Sequence, residues 1–153
     1  MEKNILLINY NNIKDYYNDK CKNLGKGYLI NFNGIIIIDF QGNEEYILTD
    51  FLKRKRKIKS GAIYFPQRIC LIVEAPKIII RQSVFFPENS FFHVKGDLVC
   101  EGDLIMLGGF KMDGNLVIHG KLKSEEYLLR GNITVRGNDW WHNYYNKLND
   151  WNF

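Results

Sequence analysis

"GDLVCEGDLIMLGGFKMDGNLVIHGKL", residues 96–122, carries glycine at 96, 102, 108, 114 and 120. Two places after each glycine stands a large apolar residue: Leu98, Leu104, Phe110, Leu116 and Leu122. Four places after come Cys100, Met106, Met112, Ile118 and Ser124. Alternate positions are therefore inward-facing, the two-residue period of a strand with one buried face. Glycine, often beside Asp or Asn, marks the point where each short strand ends and the chain bends.

A longer repeat overlies the six-residue beat. "GDLVCEG" at 96, "GNLVIHG" at 114 and "GNITVRG" at 131 are near copies, spaced by 18 and 17 residues. Three sixes make one coil of about 18 residues, so both periods predict a mainly β chain wound as a three-sided β-solenoid, with coils stacked ~4.8 Å apart. That register predicts that Asp97, Asn115 and Asn132 stack at one corner. It also places Lys95, Asp113 and Arg130 in one outward column, and Glu101, His119 and Arg136 in another. Fainter sides, "ICLIVE", "KIIIRQ", "SVFFPE" and "SFFHVK", extend the pattern upstream to about residue 66.

The flanks are less regular. Residues 1–65 predict a small α+β N-terminal lobe or cap. "NILLI" reads as a strand. "NIKDYYNDKCKNLG" reads as a helix capped by Asn12, with Ile13, Tyr16, Tyr17, Cys21 and Leu24 on one face. "GYLINFNGIIIIDFQG" reads as a hairpin turning at Asn33-Gly34. Residues 138–153 predict an amphipathic capping helix, since Trp141, Tyr144, Tyr145, Leu148 and Trp151 keep helical spacing. Together with Trp140 these aromatics form a candidate cap or interface, because an open coil end is a sheet edge that recruits other chains.

Composition narrows the class. The 153 residues are 46% hydrophobic, with only Ala62 and Ala75 for alanine, which favours strands. The net charge of +4 is concentrated in Lys53, Arg54, Lys55, Arg56, Lys57 and Lys59. This run is the candidate binding patch, either a solvated loop or a contact for phosphates or an acidic protein. Three widely spaced cysteines, no signal-peptide core and no apolar span predict a cytoplasmic protein with reduced thiols and no membrane association.

No pattern for chemistry emerges. His93, His119 and His142 lack metal-ligand spacing, and no nucleophile elbow or phosphate loop occurs. No catalytic, cofactor-binding or metal residue is therefore assigned, and the chain is expected not to be an enzyme. The expected function is a protein-binding or structural scaffold acting on a protein partner or by self-association. The alternatives are a nucleic-acid-associated or inhibitory protein acting through residues 53–59, and a hexapeptide-type acyltransferase with His119 as base.

The stretch 96–122 resembles bactofilins, polymer-forming cytoskeletal proteins built as β-helices. The resemblance lies in the glycine-aliphatic rhythm over about residues 66–137. It implies a scaffold without catalysis whose chains join end to end. The patterned N-terminal part and the aromatic tail lie outside it.

Overall fold

The computed structural model of the chain describes residues 4–18, 27–40, 45–47, 54–56, 62–129 and 131–137. The expected three-sided solenoid with an α+β lobe and a capping helix needs correction. The described residues form one fourteen-stranded, mainly parallel sheet curled as a half-barrel, and no α-helix is found among them.

The strands in chain order are β1 (Ile5–Ile8), β2 (Tyr17–Asn18), β3 (Gly27–Asn31), β4 (Ile35–Ile38), β5 (Glu45–Ile47), β6 (Arg54–Arg56) and β7 (Ile63–Tyr64). They continue as β8 (Cys70–Ile80), β9 (Val84–Phe86), β10 (Phe91–Cys100), β11 (Leu104–Met112), β12 (Leu116–Ile118), β13 (Leu122–Leu129) and β14 (Ile133–Val135). Parallel pairing sorts them into three columns. The first stacks β3, the start of β8, the start of β10 and the end of β11, with the end of β13 above. The second stacks β1, β4, the end of β8, the end of β10, β12 and β14. The third stacks β5, β7, β9, the start of β11 and the start of β13. The long strands β8, β10, β11 and β13 each run from one column into another, which is how the sheet curls.

The repeat sets this register. Leu98 pairs with Leu116 and Leu116 with Ile133, spacings of 18 and 17. Every inward residue from Leu98 to Ser124 is buried. Like side chains lie over like, and the aromatics form a run: Phe65 stacks on Phe86 at 4.3 Å, Phe86 on Phe92 at 4.8 Å and Phe92 on Phe110 at 5.5 Å. Such ring pairs add about 0.5–1.5 kcal/mol each beyond their area burial.

The corners are held by side chains that reach one rung up. Asp97 accepts the Asn115 N–H and Asn115 accepts the Asn132 N–H, both at 2.9 Å. At another corner Ser83 accepts the Asp103 N–H at 2.9 Å, and Asp103 accepts the Lys121 N–H at 2.8 Å. Each side chain thus satisfies a backbone donor that the bend takes out of the strand ladder.

The N-terminal residues differ most from expectation. In place of a helix from Asn12, Ile13–Tyr16 makes a single 3-10 turn, and β2 then pairs antiparallel with β3. Residues 19–26, with Cys21 and Leu24, lie outside the described residues. Asn33-Gly34 does not close a hairpin, because β3 and β4 do not pair with each other. Each runs parallel to β8, one after the other. A two-residue hairpin turn of the Asn-Gly kind needs positive φ at both central residues. Among the described residues only Arg68, Asn89 and Gly96 have it. The chain therefore turns a corner at Gly34, where a Cβ would run into the Asn4 carbonyl. Below this layer Ile13 is buried, and Tyr10, Tyr16 and Tyr17 pack against the core. A single turn, in place of the expected helix, thus packs against this part of the core.

Candidate functional site

The proposed basic patch is only partly in view. Arg54–Arg56 form β6, which pairs antiparallel with β5 and ends the strand order of the sheet. Lys53, Lys57 and Lys59 lie outside the described residues, as do Trp140, Trp141, Tyr144, Tyr145 and Trp151 and the helix expected over 138–153. The structure thus places three of the basic residues together on a terminal strand and leaves the aromatic candidates unplaced.

The histidines separate. His119 is exposed, and its backbone N–H bonds to the Cys100 carbonyl at 2.9 Å. His93 is only 4% exposed although it points away from the main core. Its ring lies 6.1 Å from that of Phe91, and its Nε2 is 3.3 Å from an Asp113 carboxylate oxygen. Beside it on the outer side of the first column, Cys70 and Ile72 are buried and Phe91 packs against them. The outer side of this column therefore carries a second small apolar cluster. Alternation alone could not reveal it, because the same alternation marks these positions as solvent-facing. Lys95, expected in one column with Asp113, lies 4.0 Å from Glu74 in the rung below.

Cys100 is not set up for nucleophilic chemistry. Cys100 is buried, its sulfur 3.6–3.7 Å from the carbonyl oxygens of Gln82, Gly102 and Asp103. Burial pushes its thiol up to about 12 from the ordinary 9.0, against a lowering backbone hydrogen bond at Gly102. A thiol so placed stays protonated at neutral pH, and the thiolate is the reactive species. Among the described residues no cluster of three or more His, Cys, Asp or Glu could hold a metal ion.

A groove of about 360 Å³ opens between the first and second columns, lined by Asn31, Phe32, Asn33, Glu74, Pro76 and Lys95, among others. It arises because successive rungs spend different numbers of residues on this corner. Three residues separate Asn31 from Ile35, two separate Glu74 from Lys77, and only Gly96 separates Lys95 from Asp97. Its exposed Glu74–Lys95 pair offers recognition chemistry.

Two columns carry apolar residues on their outer faces. On the third column Tyr64, Phe85 and Ile105 stand in register on three adjacent strands, with the Tyr64 and Phe85 rings 5.4 Å apart. On the second column Leu7, Ile37, Ile79, Val99 and Val117 stand in register on five. Ile5 and Leu7 are 58% and 44% exposed. A solvated sheet face ordinarily alternates to polar residues.

Comparison with protein-family models, with curated proteins and with solved structures finds no match to this chain. No helix among the described residues is long and apolar enough to cross a membrane.

Proposed function

We propose that this chain is a non-enzymatic protein-binding or structural scaffold module, compatible in its stacked parallel strands with a β-helical type of repeat protein. The carrying observation is the outward row Tyr64–Phe85–Ile105 on the third column. Rigid aromatic and β-branched side chains fixed at the strand spacing make a flat surface that loses little entropy on binding. The protonated Cys100 thiol and the exposed position of His119 give no support to the acyltransferase alternative. The free, buried thiol of Cys100 is in keeping with a reducing, cytoplasmic setting.

The test is affinity capture from the native host with the wild-type chain and a Phe85→Glu/Ile105→Glu variant of unchanged circular dichroism. Proteins held by the first and lost by the second support the reading. Identical captured sets would sink it.

The resemblance to bactofilins would make the scaffold an end-to-end polymer, for which light scattering should report long particles. The nucleic-acid alternative draws on Arg54–Arg56 lying on a terminal strand. It requires affinity for DNA or RNA that falls steeply with salt and is lost in Lys55→Glu/Arg56→Glu/Lys57→Glu.

A further inference from the structure

The second column's outer face has a composition that water alone does not explain. Its main row, Leu7, Ile37, Ile79, Val99 and Val117, gives way to a polar residue only at Thr134. At ~4.8 Å per strand this apolar row is about 19 Å long. A second row two residues earlier runs Ile5, Ile35, Lys77 and Asp97, then Asn115 and Asn132. Lys77 and Asp97 are both exposed and sit on adjacent strands. This row thus sets one positive and one negative charge, a rung apart, beside the apolar strip.

That pair of charges specifies an occupant. A two-fold axis lying in the face, along the strands and midway between β8 and β10, turns the stack upside down and keeps strand direction. It sets Lys77 of each copy opposite Asp97 of the other. The same operation sets Ile79 opposite Val99 and Ile37 opposite Val117, so these four residues of the row meet, while Leu7 falls opposite Thr134. Moving the axis half a step onto β8 would oppose Lys77 to Lys77, and moving it onto β10 would oppose Asp97 to Asp97. Like charges across an interface are disfavoured, so the charges select one register of an otherwise repetitive surface. A self-complementary patch of this kind is what an isologous interface requires.

We infer that the chain forms a two-fold dimer with a second copy of itself through the outer face of the second column, sheet against sheet. The inference rests on the protein-binding reading above but uses a different face from the Tyr64–Phe85–Ile105 row, so the two can fail separately.

Sedimentation of the full chain tests it. The expected species is a dimer of the 18.1 kDa chain that dissociates on dilution. Lys77→Glu, an exposed change, sets Glu opposite Asp97 and should raise the dimer dissociation constant about tenfold or more. Adding Asp97→Asn should recover most of that loss, because Asn keeps an oxygen for the Asn115 N–H while removing the repulsion. Val99→Glu should give monomers. Circular dichroism and melting temperature verify that each variant is folded, and Lys77→Glu with its rescue suffices if Val99→Glu is not. A wild-type monomer at the highest soluble concentration overturns the dimer, as does a dimer indifferent to Lys77→Glu. Neither result touches the capture experiment on Phe85 and Ile105, which tests the broader reading.

Discussion

Asp97 and Asn115 are joined across adjacent rungs by a 2.9 Å hydrogen bond from the Asn115 N–H to Asp97 Oδ1. The bond repeats one rung up from the Asn132 N–H to Asn115 Oδ1, also at 2.9 Å. Asp97→Asn keeps an acceptor in place and should be close to neutral for stability. Asp97→Ala and Asn115→Ala should each lose about 1 kcal/mol in urea unfolding. Equal stability of Asp97→Asn and Asp97→Ala would show that the bond contributes nothing.

Glycines in the repeat are not equivalent. Gly96 has φ +146°, and a Cβ there would collide with the Ala75 carbonyl of the rung below. Gly96→Ala should therefore destabilise the chain by about 3 kcal/mol or more, through backbone strain together with steric overlap. At Gly109 a Cβ would meet only the Phe91 ring edge, at 3.1 Å. Gly109→Ala should cost far less, and thermal melts of the two variants side by side check the contrast.

Cys100 should leave a signature at high pH. Burial, the largest cause, raises its thiol from 9.0 to about 12; the nearby Asp103 and Glu101 charges add to the rise, and the Gly102 backbone hydrogen bond opposes it. Below pH 9 both folded and unfolded chains hold the proton, so this group is neutral for stability. Between roughly pH 9 and 12 the unfolded thiol ionises while the folded one does not. Stability should fall across that window, by up to about 1.4 kcal/mol per pH unit from this group. Cys100→Ala should be somewhat less stable at neutral pH but show a shallower decline above pH 9. An unchanged slope would mean that Cys100 is not the group responsible.

Asn12 blunts a sheet edge. Its side-chain amide accepts the Asn9 N–H at 2.7 Å and donates to the Leu7 carbonyl at 2.8 Å. It thereby occupies backbone groups at the end of β1 that an added strand would use, and unprotected edges recruit other chains. Asn12→Ala should increase concentration-dependent scattering and lower stability by about 1 kcal/mol. Asn12→Asp, which retains the acceptor alone, should fall between. If Asn12→Ala scatters no more than wild type, the amide is not guarding the edge.

The sequence by itself determined the inner face and the vertical register from Gly96 onward. Those depend on strict alternation and on spacings of 18 and 17, and burying Leu98, Leu116 and their counterparts leaves little choice of partner. The corner ladder of Asp97, Asn115 and Asn132 follows from the same arithmetic. Only the tertiary structure decided what residues 4–18 and 27–40 would do. Ile35–Ile38 alternates equally well for an antiparallel hairpin or for parallel pairing with β8. The choice fell to the apolar ladder that β8 offers and to the φ values at Asn33 and Gly34, neither of which is written locally. The same holds for the burial of His93 and Cys70 on the outer side of the first column, and for the apolar row from Leu7 to Val117. An outward position is identified by its strand, but what surrounds it comes from residues 18 or more places away, brought alongside by the stacking.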